Sequence, residues 1–312
     1  MPRKKKIEEP ETIIVPEITE ESIVPIESET PKPQPFYALD FHELDKNLSP
    51  DEHREWNAIY ASYRAGSILT GTVAGVDSIN LGGKSVECLV LFNYRVKVLI
   101  PRNEVWADDG TAQSDYILRR FLGAEVDYIV REVDRVGGVA VASRKLALNH
   151  RRKSFAKHLP EVGELMDCRV LAVASTRLLL ECGGFEITLS QRQISYGTIL
   201  DLREDYKPGQ SIKAVFKGLQ DGKISLSVKE VNPHPFDNAE SRHPLGCRRV
   251  SRIVGKYAGG VFCELERGFT CLCLYSPEQR DSDFDLGDSV IIVVTRFDRD
   301  NKLVYGRIVS RW

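Results

Sequence analysis

Apolar and polar residues alternate through three stretches of this chain in the same order, and each stretch is introduced by a glycine. Gly66 precedes Ser-Ile-Leu-Thr-Gly-Thr-Val, Gly163 precedes Glu-Leu-Met-Asp-Cys-Arg-Val, and Gly246 precedes Cys-Arg-Arg-Val-Ser-Arg-Ile-Val. A second glycine opens the closing pair of strands in each copy: Gly123, Gly209 and Gly287. A period of two places successive side chains on opposite faces of a strand. The opening glycines are 97 and 83 residues apart. That spacing is too long for a solenoid repeat and suits a small domain repeated in series.

Within the first copy, Val86, Cys88, Val90 and Phe92 share one parity and are followed by Val96, Val98 and Ile100 after Asn93-Tyr94. This predicts a hairpin with its apolar residues on one face and Phe92 in the core. A helical stretch is expected around Tyr116 to Phe121, before Gly123, and a turn at Gly137-Gly138 separates the last two strands. Five strands with a short helical insertion between the third and fourth is the order of an oligonucleotide-binding barrel. Upstream, Ser49-Pro50-Asp51-Glu52 supplies a cap, a first-turn proline and early acids, and Trp56, Ile59, Tyr60 and Tyr63 follow at helical spacing. This predicts a helix docked on the first barrel.

Composition adds three constraints. The formal net charge of −2 averages two unlike parts. Residues 1–63 carry a net −7, and the remaining 249 residues a net +5, a mildly basic body that suits a polyanion. Prolines at 2, 10, 16, 25, 31, 33 and 35, amid Glu and Thr, predict a disordered tail. Seven cysteines without framework spacing, and no apolar leader or membrane-length apolar run, predict a cytoplasmic protein with reduced thiols and no membrane partner. Cys263, Cys271 and Cys273 lack a knuckle spacing and read as core thiols, so no metal or other cofactor is expected. A phosphate-cradling loop, a nucleophile elbow and an acidic metal cluster are all missing, and all six histidines lie in the N-terminal part or in linkers. The expectation is a protein that is not an enzyme.

The strand endings then become specific. Gly222-Lys-Ile-Ser-Leu-Ser-Val-Lys229 closes the second copy, and Ser143-Arg-Lys145 closes the first. The third carries Tyr257-Ala-Gly-Gly-Val-Phe262-Cys-Glu-Leu265 and Phe297-Asp-Arg-Asp-Asn-Lys302. Together these resemble the S1 RNA-binding domain family over roughly residues 64–312, in the tandem order of that family's ribosomal proteins, particularly the shorter Gram-positive type. The resemblance implies an all-β chain of three tandem five-stranded OB-fold (S1-type) barrels. The expected divisions are a disordered tail at 1–40, a helical segment at 41–63 and repeat one at 64–149. A basic linker at 150–162, repeat two at 163–231, a linker at 232–245 and repeat three at 246–312 follow. It also implies binding of single-stranded RNA, messenger RNA in translation, with the small ribosomal subunit as a further partner. The alternative is a ribosome- or protein-docking scaffold in which only repeat three touches RNA.

Carried over residue by residue, the family's stacking aromatics fall on Tyr257 and Phe262, and its polar pair on Asp298 and Lys302. Strand alternation turns Phe262 outward, and Lys256 is expected beside it. The family's third-strand histidine is missing, its places being taken by Pro101, Ser190 and Leu274. Repeat two keeps only the basic position, Lys223; the aromatic positions fall near Ser175 to Leu178. In repeat one Phe92 and Tyr94 match loosely. Arg144, Arg151 and Arg152, with Lys145 and Lys153, would form a cationic ridge able to contact a backbone if their linker is helical, the other reading being a solvated linker helix. Arg252 belongs to a smaller cluster with Arg248 and Arg249.

Overall fold

A computed structural model of the chain describes residues 48–81, 84–93, 95–107, 118–220 and 222–312. The tail expected at 1–40 and the site candidate Tyr94 lie outside them. The described chain opens with α1 (Pro50–Ala65), whose capping box is complete: Ser49 Oγ accepts from the Glu52 backbone N–H and the Glu52 carboxylate accepts from that of Ser49. Trp56, Ile59 and Tyr60 are buried from one face of this helix, with Arg135 over the Trp56 ring.

Repeat one is a closed barrel of β1 (Leu69–Leu81), β2 (Lys84–Asn93), β3 (Val96–Pro101), β4 (Glu125–Asp134) and β5 (Val139–Ser143), in the order β1-β2-β3-β5-β4. α2 (Arg144–Lys157) follows directly from β5, so it begins inside the stretch assigned to repeat one. Repeat two comprises β6 (Leu165–Val173), β7 (Arg177–Cys182), β8 (Phe185–Ser190), β9 (Ser211–Gln220) and β10 (Lys223–Ser227), with a short α3 (Gln191–Ile194) after β8. Its sheet has the same order without the closing β8–β10 ladder. A short α4 (Ala239–Arg242) leads into repeat three: β11 (Arg248–Tyr257), β12 (Gly260–Glu266), β13 (Phe269–Leu274), β14 (Ser289–Asp298) and β15 (Leu303–Arg311), again a closed barrel.

The first strand of each repeat carries a bulge at the same place: Val73/Gly75, Val170/Ala172 and Ile253/Gly255. One extra residue bends the strand and lets it serve two neighbours. Because the bulges coincide, the strand ladders of the three repeats can be matched rung by rung.

The register corrects the parity expected for β2. Leu89 and Leu91 stand opposite Ile100 and Val98, and all four are fully buried. Val90 pairs with Leu99 on the other face, and Phe92 pairs with Lys97 there, 56% exposed instead of in the core. The run Cys88-Leu-Val-Leu-Phe92 is apolar on both faces, so alternation alone could not orient it.

Repeats one and two are joined by a buried charge network. Arg144, the first residue of α2, has no exposed surface; it donates to Glu181 at 2.8 Å, to the Glu186 carboxylate and to the Val105 carbonyl at 2.8 Å. Arg169 donates to Glu181 and to Asp127, both at 2.7 Å, and Asp127 also accepts from Thr70 at 2.7 Å and Arg151 at 2.8 Å. Burial pushes the Asp127 carboxyl up, but Arg169, Thr70 and Arg151 outweigh it and hold the group down at about 2. Repeats two and three meet where the Gly197 N–H donates to the Gly268 carbonyl at 2.6 Å and Arg267 grips Asp205 with its Nε at 2.8 Å from both oxygens.

Candidate nucleic-acid interface

The inward side of repeat three is set by Val261, Cys263 and Leu265 on β12, Cys271 and Cys273 on β13, and Val304 on β15, all buried. The Cys271 and Cys273 sulfurs lie 3.8 Å apart. Gly306 makes room for them, since a Cβ there would stand 2.8 Å from the Cys271 sulfur. Among the described residues, no group of His, Cys, Asp or Glu is arranged to hold a metal ion.

Alternation then fixes the outward side. Phe262 is opposite Gly255 across the β11–β12 pair and opposite Leu272 across β12–β13; Leu272 is opposite Tyr305 on β15, and Tyr305 is opposite Arg296 on β14. Gly255 matters here because a Cβ would come within 3.2 Å of the Phe262 ring. The rings of Tyr257 and Phe262 have centroids 5.6 Å apart, and the Arg296 guanidinium lies 4.3 Å over the Tyr305 ring. Burial, and after it the neighbouring Tyr305, pushes the Tyr257 hydroxyl above its ordinary range. That hydroxyl is buried with no hydrogen-bond partner among the described residues. The row Phe262–Leu272–Tyr305–Arg296, flanked by Tyr257 and exposed Arg307, is an aromatic face edged with guanidinium groups. Such faces take unpaired bases on the rings and phosphates on the cations.

Tyr305 and Arg296 did not stand out in the sequence. The expected polar pair instead proves to belong to the turn. Asp298 accepts from the Asn301 backbone at 3.1 Å and from its side chain at 3.0 Å, bonds that hold its carboxyl below the ordinary range. Lys302 has a positive φ of 51° and matches Gly138 of repeat one, the φ 67° residue that ends the same four-residue turn. By register the partner of Lys223 is Leu303, since Lys223 pairs with Gln220 as Leu303 pairs with Asp298. Lys302 points to Asp237, 3.3 Å away, instead of standing beside Phe262. Lys256 is likewise not beside Phe262. It pairs with Val261 across the ladder, and its ammonium donates to the carbonyls of Asp281 and Phe284.

The other candidates scatter. Arg252 lies 3.9 Å from Glu204 of repeat two. Lys223 and Lys153 are exposed. Arg151 is committed to Asp127, and Arg152 donates to the Gly184 carbonyl at 2.9 Å with its guanidinium over the Phe185 ring. The expected cationic ridge is therefore mostly spent inside the molecule: Arg144, Arg151 and Arg152 all serve the junction of repeats one and two.

The equivalent row in repeat one is Val90–Leu99–Val141–Glu132, with Gly75 at the bulge. It borders a groove of about 410 Å³ with an apolar floor of Ile79, Leu99, Val139 and Val141, and with Lys97, Glu132 and Asp134 as its charged lining. In repeat two the row is Leu179, Thr188, Ser225 and Gly218, with Ala172 at the bulge. Neither row offers a ring to stack on.

Tandem modules of this strand order, one of them bearing an aromatic and basic outer face, define the class as S1-like proteins built on oligonucleotide-binding folds. Sequence comparison agrees, and the chain is S1-like. No family model matches it. It is 25% identical over 194 residues to small ribosomal subunit protein bS1 of Chlamydia trachomatis, covering 59% of this chain and 34% of that protein. Against bS1 of Synechococcus elongatus it is 24% identical over 232 residues, covering 67% of this chain and 74% of the relative. A 4-hydroxy-3-methylbut-2-enyl diphosphate reductase of Clostridium acetobutylicum is 23% identical over 185 residues, covering 57% of this chain and 28% of the enzyme. The chain thus spans about a third of the length of the Chlamydia relative and less of the reductase.

Proposed function

We propose that this protein is a non-enzymatic, cytoplasmic RNA-binding protein that holds single-stranded RNA, messenger RNA in an S1-like translational role, on the outer face of repeat three. The observation that carries this is the Phe262–Leu272–Tyr305–Arg296 row with Tyr257 and its unpaired hydroxyl at the edge. Every base has a π-face, so such a row needs no sequence code. The names of the bS1 relatives support association with the small ribosomal subunit. Lys223 and Lys153 are exposed and suited to backbone contacts. No described helix is long and apolar enough to cross a membrane.

Fluorescence anisotropy with an unstructured RNA tests this. Phe262→Ala and Tyr305→Ala should each weaken binding by about 1–3 kcal/mol, with stability little changed because both rings lie on the outer face. Affinity should fall with salt at a slope of about −0.7 per phosphate neutralised. Unchanged affinity in both variants would remove RNA binding from this face. A second reading, in which repeats one and two dock on the ribosome or another protein, is favoured by the aliphatic groove of repeat one, which has no ring in its lining and sets two carboxylates beside Lys97.

A further inference from the structure

The β14–β15 turn lies at one end of the aromatic face, and what it leads to is a second pair of rings. From Tyr305 back to Lys302, the last residue of the turn, is three residues, at most about 10 Å of chain. Lys302 contacts Asp237 and lines an open groove of about 440 Å³ with Phe236, Asn238, Ser241 and Arg299, beside the segment joining repeats two and three. Three residues before Asp237 stands His234, whose ring lies 4.2 Å from that of Tyr196 in repeat two, and the Lys229 ammonium is 5.1 Å from the Tyr196 centroid. Tyr196 is 36% exposed. His234 Nδ1 accepts from the Phe236 N–H at 3.1 Å, which leaves the ring proton on Nε2 as a donor. Burial first, then the charge of Lys302, holds this histidine below its ordinary range against the opposing charge of Asp237, with Lys229 adding to the lowering. The two charge pairs at the groove, Arg299–Glu240 at 3.0 Å and Lys302–Asp237 at 3.3 Å, join side chains that are all about half exposed or more. Exposed pairs of this sort are worth about 0–1 kcal/mol, so a phosphate can take the place of either carboxylate.

Resting on the RNA-binding reading of repeat three, we propose that the junction of repeats two and three is a second base-stacking station. The single strand leaving Tyr305 crosses the β14–β15 turn, lays a base on the Tyr196–His234 pair, and meets Lys229 and Lys302 with its phosphates. The site takes a nucleobase and its backbone, not a free phosphate, because its rings and its cations lie together.

The test uses the full chain and fluorescein-labelled oligouridylates of about 4 and about 12 nucleotides, the shorter within the site size of one barrel. Tyr196→Ala should weaken binding of the longer strand about 10-fold, equivalent to about 1.4 kcal/mol and within the range for one stacked base, and leave the shorter strand unaffected. Tyr196→Phe should keep the wild-type affinity. Phe262→Ala should weaken both strands, so failure of the repeat-three site is seen separately from failure of the junction. Photocrosslinking of the unmodified protein to 4-thiouridine strands guards against a variant that disturbs the fold. The longer strand should label the Tyr196 or His234 peptide, and the shorter should not. Equal affinity of wild type and Tyr196→Ala for the longer strand, or no label at either peptide, would overturn the proposal and leave the ring pair as packing between repeat two and its linker.

Discussion

Replacing Arg144 with alanine removes a guanidinium that has no exposed surface and that donates to Glu181, Glu186 and the Val105 carbonyl. Losing one partner of a buried ion pair costs about 3–5 kcal/mol, because the other charge stays desolvated. Two features set the expectation at the lower end, about 3 kcal/mol. Glu181 keeps Arg169 at 2.7 Å, and the Glu186 side chain, 11% exposed, can turn toward water. Urea unfolding followed by tryptophan fluorescence reads this well. Trp56 and Trp106 are buried with repeat one, whereas Trp312 is exposed and changes little on unfolding. With a urea slope of about 2 kcal/mol/M, the midpoint should fall by about 1.5 M. Since Arg144 connects both repeats, the variant should also loosen repeat two, visible as faster amide exchange in β7 and β8. A midpoint shift below about 0.3 M would show that the network contributes little and that repeats one and two stand independently.

Two further outcomes follow from the same structure. The Asp127 carboxyl is held at about 2 in the folded chain against roughly 3.9 when unfolded, so its contribution of on the order of 2 kcal/mol is present above about pH 4 and is lost as pH falls towards 2; Asp127→Asn should flatten the urea midpoint across that interval, and an unchanged acid limb would refute it. Phe92→Ala should leave thermal stability within about 0.5 kcal/mol, while Leu91→Ala on the opposite face should cost about 2–5 kcal/mol; the reverse order would return Phe92 to the core.

The strand grammar, the glycine-led repeats and the outward turn of Phe262 were legible in the sequence because each rests on local periodicity. The remainder depended on long-range register. Tyr305 joins Phe262 only through β13, a neighbour more than thirty residues away in the chain. Lys302 reads as the equivalent of Lys223 until the longer turn of repeat three, closed by a left-handed residue, shifts the count by one. Arg144, Arg151 and Arg152 read as a cationic ridge or a solvated linker helix because nothing local reveals that Glu181, Glu186 and Asp127 lie across the junction. Phe92 misled for the opposite reason: β2 is apolar on both faces, so its period carries no orientation.

The shared bulge on the first strand has a consequence for how such a chain can diverge. It gives three non-identical modules one coordinate system, in which any residue has an address made of a rung and a face. Inward addresses are held by volume, since each must fill the same barrel. Addresses on the other face are held less tightly: the one taken by Phe262 in repeat three, a half-buried ring, is taken by an aliphatic side chain in the other two repeats, buried Val90 and half-buried Leu179. Grafting a binding surface from one module to another therefore means exchanging five outward residues at known addresses, with the interior left as it is.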